Sequence, residues 1–127
     1  MSTRGLIAIE KGNGMVNCVY SHYDNYLNCN GVYLHGGYKT SDAVKALLKH
    51  GSINSLGKTI SDTVFYGDSS SIWYFSVGGF VKRNEDKAIE IFYLFKEVEG
   101  AWYVKSNNPL TEFRLLEHAL REHNLIA

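Results

Sequence analysis

Alternating apolar and polar positions near the N-terminus predict a β-hairpin. Residues 3–10 are rich in apolar and β-branched side chains, and residues 15–23 continue the pattern after a Lys11-Gly12-Asn13-Gly14 turn. A stretch dense in Asn and Gly then covers residues 25–38. Such residues tolerate the backbone conformations of turns, so we interpret this stretch as a long ordered loop, a type of segment that often carries function.

Two segments show helical spacing instead. Thr40 or Ser41 fits an N-cap, the next apolar residues recur at helical intervals, and Gly51 fits the position after the helix end. A second helix is predicted near the C-terminus, with Asn108 as cap and Pro109 in the first position. Its apolar stripe would consist of Leu110, Phe113, Leu116 and Leu120.

The rest of the chain predicts short strands separated by turns. Residues 63–66 and 72–77 are strand candidates, and Gly78-Gly79 is interpreted as a bulge or break. Residues 87–96 alternate well, and a tight turn joins them to a partner strand at residues 102–104. These segments would add strands to the same sheet as the N-terminal hairpin.

The whole pattern predicts a single α+β domain over residues 1–127, with an antiparallel β-sheet of about five to six strands and two helices packed on it. Formal net charge is zero. This argues against nucleic acid as a partner, because phosphate neutralisation supplies most of that affinity, and it favours a homo-oligomer. No apolar run approaches the roughly 20 residues that span a bilayer, and no signal-peptide pattern is seen, so we expect no membrane partner.

The densest polar and aromatic segment runs from Tyr20 to Tyr26. In a strand, His22 and Asp24 would point to the same face, and a carboxylate beside an imidazole fixes its tautomer and raises its basicity. This is half of a general-base arrangement, but Ser21 would point to the opposite face. The pair therefore has three interpretations: a structural contact that closes the strand end, a ligand contact, or catalysis.

Arg4 lies early in the first strand, where a guanidinium group suits a carboxylate or a phosphate. If paired residue numbers across the hairpin sum to 26, Arg4 faces His22. If they sum to 27, it faces Tyr23 on the other side of the sheet. The alternative for Arg4 is an internal ion pair, for example with Asp24 or Glu10.

Other chemistries have weaker signals. The five histidines are scattered and match no closed ligand motif, so we predict no metal and no cofactor. Cys18 and Cys29 are interpreted as reduced thiols. Gly36-Gly37, before the first predicted helix, and residues 67–70 are candidate anion nests. The aromatic run at residues 91–95 fits a central strand packed on both sides better than a surface on which bases stack.

Several motifs resemble a family of small uncharacterised bacteriophage and prophage proteins. Ser2-Thr3-Arg4, followed by Leu and Ile, resembles that family's S-T-R-x-L-I start. His22-Tyr23-Asp24-Asn25-Tyr26 resembles its H-W-D-G-Y motif, and residues 51–57 resemble its G-D-I-S-S-L-G string. Residues 93–95 and 102–104 resemble its closing hairpin. The likeness covers most of the chain in patches.

The chain departs from that family at Tyr23 and Asn25, which replace Trp and Gly, and at Leu27-Asn28-Cys29, which replaces Pro-Glu-Gly. A ligand held there would differ accordingly. The resemblance implies a phage origin and a location in the cytoplasm of the infected bacterial host. By analogy with other small phage proteins, it implies an accessory binding protein that antagonises a bacterial anti-phage defence system. Its partner would be a bacterial defence protein that it masks or a small nucleotide signal that it sequesters.

In this hypothesis Arg4 grips an anionic group of the ligand. Three tyrosines stack on or cover the ligand, and His22 with Asp24 fixes its orientation. One alternative is a small hydrolase or transferase that uses His22 and Asp24. Another is a purely structural phage interaction module, which predicts an exposed apolar patch and no ligand-sized pocket. The predicted ligand-binding residues are Arg4, Tyr20, His22, Tyr23, Asp24 and Tyr26.

Overall fold

The computed structural model describes residues 3–127, so Met1 and Ser2, where the S-T-R motif begins, lie outside the described residues. Its centre is a mixed β-sheet in which strand β1 (Gly5–Glu10) lies between β2 (Val16–Ser21) and β6 (Ile91–Lys96). β2 runs antiparallel to β1, whereas β6 runs parallel to it. β7 (Ala101–Ser106) pairs antiparallel with β6 and confirms the predicted second hairpin.

The remaining strands extend the sheet at both edges. They are β3 (Ile53–Ser55), β4 (Val64–Phe65), β5 (Ile72–Tyr74) and β8 (Arg114–Leu115). The main order is β4-β3-β2-β1-β6-β7-β8, and β5 pairs with β2 beside β3. The described sheet therefore has eight strands and is larger than predicted. It is mixed rather than antiparallel, because β1–β6 and β2–β3 are parallel pairs.

Helices cover both faces of the sheet. The described chain contains α1 (Val32–Gly37), α2 (Ser41–Leu48), α3 (Val77–Lys82) and α4 (Leu116–Glu122). Helices α1, α2 and α4 share a buried cluster with Ile7 and Tyr93, whereas Phe80 of α3 packs with Leu6 and Phe92 on the opposite side, here called the α3 face. Consecutive residues of β1 and β6 are thus buried on alternating faces, which confirms a central strand at residues 91–95.

The N-terminal hairpin adopts the register in which paired numbers sum to 26. Leu6 faces Tyr20 and Gly5 faces Ser21 across the ladder. The turn closes with a hydrogen bond from the Gly14 amide to the Lys11 carbonyl, 2.9 Å long, as its sequence predicts. This register places Tyr20 on the α3 face with Leu6. Both strands are shorter than predicted, since β1 begins at Gly5 and β2 ends at Ser21.

The segment predicted to be a loop is largely helical. A single π-helical turn at Leu27–Gly31 leads directly into α1. The side-chain amide of Asn30 donates to the Tyr23 carbonyl at 3.0 Å and to Asn25 Oδ1 at 2.8 Å. Asn side chains favour turns by competing for backbone groups, and here they bond to the end of β2 instead of breaking the helix. The Gly36-Gly37 pair therefore lies at the C-terminal end of α1, and the N-terminus of the next helix, α2, is formed by Thr40 and Ser41, so the predicted anion nest of Gly36-Gly37 at a helix start is wrong.

Two further boundaries differ from the prediction. Gly78-Gly79 lie inside α3, which begins at the N-cap Ser76, whose Oγ accepts from the Gly79 amide at 3.0 Å. The last helix begins at Leu116 rather than Pro109. The Asn108 side chain caps only a turn. Leu116 and Leu120 of the predicted apolar stripe are buried and Phe113 is partly buried, whereas Leu110 is 91% exposed. Among residues 3–127, no helix has the length and apolar character required to cross a membrane.

Candidate functional site

A cavity of about 360 Å³ opens on the α3 face of the N-terminal hairpin. We call it the Arg4 cavity. Its lining combines apolar side chains, serine hydroxyls and two cations, and these groups are Leu6, Ile72, Ile89, Ser52, Ser70, Ser71, Arg4 and Lys87. The volume lies within the range of small-molecule sites, and this mixture of an apolar wall with a few polar groups is typical of them.

Arg4 reaches the cavity from the start of β1. Its backbone is held by Glu90, whose carboxylate accepts from the Arg4 amide at 3.0 Å and whose amide donates to the Arg4 carbonyl at 2.9 Å. The guanidinium group forms no ion pair with any residue of the described chain, so the alternative of an internal pair with Asp24 or Glu10 is wrong. Arg4 is therefore anchored through its backbone while its charge stays unpaired.

Tyr20 lines the cavity beside Arg4. Its hydroxyl lies 2.5 Å from Nδ1 of His22. Burial raises the pKa of Tyr20, although the neighbouring Arg4 guanidinium opposes that shift. The hydroxyl is consequently protonated at neutral pH and can donate to the imidazole. The contact fixes the orientation of the Tyr20 ring at the cavity wall.

His22 and Asp24 do not form the predicted pair. β2 ends at Ser21, and Asp24 adopts a left-handed backbone with φ of 62°, so strand alternation does not extend to it. No hydrogen bond or ion pair joins the two side chains in the part of the chain that the structure describes. The His22 ring instead contacts Tyr20 and Tyr23, whose ring centroid is 4.4 Å away.

The other predicted ligand residues follow Tyr20 in the chain and do not line the cavity. Tyr23 and Tyr26 each expose 42% of their surface and lie where β2 passes into the π-helical turn. Within residues 3–127, Arg4 and Tyr20 line the cavity, whereas His22, Tyr23, Asp24 and Tyr26 do not. The structure therefore brings together two of the six predicted residues and places the other four next to them along the chain.

The predicted anion nest at residues 67–70 is occupied by a carboxylate of the same segment, that of Asp68. The Asp68 carboxylate accepts from the backbone amides of Ser52 and Ser70, each at 3.0 Å, and these bonds lower the pKa of Asp68. Gly51 permits this approach, because an added Cβ would lie 2.4 Å from Asp68 Oδ1 and its φ is +82°. The nest is thus unavailable to an external anion, but it holds Ser52 and Ser70 at the cavity wall.

Lys87 is the main cavity residue that the sequence pattern did not single out. The alternating pattern predicts a strand from residue 87, whereas β6 begins only at Ile91 and Lys87 lies in the preceding segment that borders the cavity. The zero net charge of the chain gave no indication of a cation at this position, because the net charge does not show how the charged residues are distributed. The one available signal was the spacing of Lys82, Arg83 and Lys87 within a short polar stretch.

The two cysteines and the potential metal ligands form no reactive site in the described residues. Both cysteines are free thiols, as predicted, and burial raises the pKa of Cys18, which also borders the cavity, to about 12. In the described residues, no three His, Cys, Asp or Glu side chains are grouped so as to hold a metal ion.

Comparison with known proteins gives no matching family model, no matching curated protein and no matching solved structure. The chemistry of the Arg4 cavity is accordingly the main guide to function.

Proposed function

We propose that this protein is a non-enzymatic bacteriophage accessory protein that sequesters a small nucleotide signal of a bacterial anti-phage defence system. One observation carries the proposal: Arg4 and Lys87, neither of which forms an ion pair within residues 3–127, line one cavity together with serines and an apolar wall. Cations and hydroxyls suit a phosphate, and the apolar wall with Tyr20 suits a base. The phage context rests on the resemblance of the N-terminal motifs.

Binding without turnover is supported by the groups at the cavity. The Cys18 thiol is protonated at neutral pH, which makes it a poor nucleophile. The His22 ring is hydrogen-bonded to the Tyr20 hydroxyl, and within residues 3–127 it forms no ion pair with a carboxylate. The hydrolase or transferase alternative needs a His22–Asp24 unit and is therefore the weaker reading of this site.

Isothermal titration calorimetry with adenosine diphosphate (ADP) tests the site. We expect the wild-type protein to bind ADP, and Arg4→Ala and Lys87→Ala each to weaken binding roughly 10- to 150-fold, because each removes one charge-assisted contact worth about 1.5–3 kcal/mol. Lys49→Ala is the matched control, since Lys49 is an exposed lysine beyond the end of α2. Absence of ADP binding, or equal affinity in all three variants, would contradict the proposal.

Antagonism of a defence system needs a test in cells. A bacterium that carries a nucleotide-signalling defence system is infected while it expresses either the wild-type protein or Arg4→Ala. We expect the wild-type protein to restore plaque formation and the variant to lose that effect at equal protein level. Restoration by both would separate the biological effect from the Arg4 cavity.

Masking of a defence protein is a second candidate, and the edge strand β4 favours it. Val64 and Tyr66 expose 54% and 50% of their surface, whereas Phe65 between them packs against the core, so the two exposed side chains project to the same side of the sheet edge. Val64→Ser should abolish plaque restoration in this case while leaving ADP affinity unchanged. The opposite result, with plaque restoration intact, counts against masking through this surface.

A further inference from the structure

We propose that the natural ligand is of dinucleotide size, because a second cationic groove continues from the Arg4 cavity on the same face of the sheet. This inference rests on the proposed function and specifies its ligand. The second space, here called the Phe75 groove, has a volume of about 850 Å³ and is lined by Phe75, Ser76, Lys82 and Arg83.

The two spaces share three lining residues, Ile72, Tyr74 and Lys87. Ile72 pairs with Cys18 and Tyr74 with Val16, and both partners belong to the buried cluster beneath α3. Partners across an antiparallel ladder project to the same face, so Ile72 and Tyr74 form a ridge on the α3 face. Lys87 therefore stands between two adjoining compartments rather than at the end of one.

Charge favours a ligand with two separate anionic groups. Lys82 and Arg83 line the Phe75 groove, and neither they nor Lys87 form an ion pair within residues 3–127. One phosphate would bind between Arg4 and Lys87, and a second near Lys82 and Arg83.

Two acidic residues limit how much negative charge the ligand can carry. Glu85 and Asp86 also line the Phe75 groove and form no ion pair in the described chain. They would repel a long polyanion, but their carboxylates can accept hydrogen bonds from a ribose hydroxyl or a base amino group. The charge pattern thus fits a compact dinucleotide better than an extended nucleic acid.

Each compartment also offers exposed aromatic side chains besides the shared Tyr74. Tyr20 lines the Arg4 cavity, and Trp73 and Phe75, which are 52% and 91% exposed, line the groove. A planar base stacks on such rings with little regard to its identity. A ligand with two bases and two phosphates would use both surfaces and all four cations, whereas a mononucleotide would use one compartment.

Calorimetry with two probes of similar charge tests this inference. ADP and the 5′-phosphorylated dinucleotide pApA carry similar negative charge, but pApA has a second nucleoside and base, so a general electrostatic effect should not separate them. We expect pApA to bind at least about tenfold more tightly than ADP. Phe75→Ala and the double variant Lys82→Ala/Arg83→Ala should reduce pApA affinity to that of ADP, while Lys49→Ala should change neither affinity.

The outcomes distinguish the two proposals. If ADP binds at the Arg4 cavity and pApA binds no more tightly, the extended ligand is wrong and the proposed function stands. If neither probe binds, both are overturned. If a longer oligoadenylate binds more tightly still, with a steep salt dependence, the groove serves single-stranded nucleic acid and the dinucleotide inference is overturned.

Discussion

At the scale of single residues, Gly5 shows how closely the start of the sheet is packed. An added Cβ would lie 2.8 Å from Cγ of the buried Asn25. The side-chain amide of Asn25 donates to the Thr3 carbonyl at 2.7 Å and to the Ser21 carbonyl at 2.9 Å. Any side chain at position 5 must displace an amide that joins the N-terminus to the end of β2.

We therefore expect Gly5→Ala to lower the free energy of unfolding by about 1–3 kcal/mol, the usual cost of overpacking. Urea denaturation followed by circular dichroism measures it. Gly12→Ala is the control, because the nearest atom to its added Cβ is 3.9 Å away. Equal stability of the two variants would show that Asn25 can move without cost.

Glu97 is the most heavily bonded carboxylate at the surface. It pairs with Lys45 at 2.8 Å and accepts from the Ser41 hydroxyl at 2.5 Å and the Gly12 amide at 3.1 Å. The hydrogen bond from Lys45 is the largest of the causes that lower the pKa of Glu97 from 4.5 to about 2. Because the folded state holds the charged form, this stabilisation is present above pH 4.5 and is lost as pH falls towards 2.

Glu97→Gln should accordingly flatten the fall in melting temperature across that pH window, which thermal denaturation measures at several pH values. The variant should be less stable than the wild-type protein at neutral pH and should approach it in acid. Glu112→Gln, at an exposed residue that forms no ion pair in the described chain, is the control and should keep the wild-type profile. A Glu97→Gln profile parallel to wild type would contradict the assignment.

At the scale of secondary structure, turn and capping residues predict the correct elements where hydrogen bonds between residues close in sequence determine the structure. The Gly14 turn and the Thr40 cap, whose Oγ accepts from the Ala43 amide at 3.2 Å, are both present. The C-terminal helix was extended too far because Asn108 and Pro109 are equally good at starting a turn. Its true start depends on β8, a tertiary feature that leaves no local pattern.

Helix α3 depends on a single large side chain for its contact with the sheet. Phe80 is fully buried, and its ring centroid lies 5.4 Å from the ring centroids of both Tyr74 and Phe92. We expect Phe80→Ala to lower the free energy of unfolding by about 3–5 kcal/mol. Chemical denaturation checks this value, and Val98→Ala, at an 82% exposed residue, is the control with little change. A loss below about 1 kcal/mol would mean that the site collapses around the cavity.

At the scale of the whole molecule, the site is assembled from distant parts of the chain. Arg4 and Tyr20 come from one hairpin and were predicted, because a cation beside a polar aromatic cluster is visible in the sequence. Lys87 and Ser70 reach them only after β5 has paired with β2 and the segment after α3 has returned to the sheet. Such long-range placement follows from sheet order, which alternation alone does not determine.

The parallel pairing of β1 with β6 bears on how the chain folds during synthesis. Gly5 pairs with Ile91, so the middle of the sheet closes only when the last third of the chain has left the ribosome. Until then the first hairpin carries an open inner edge that includes the apolar Ile7 and Ile9. Contacts so far apart in sequence slow folding, and an open apolar edge invites association with other chains. Translation thus produces β1 long before its second neighbour β6, and until β6 emerges the unpaired edge of β1 is exposed to other chains.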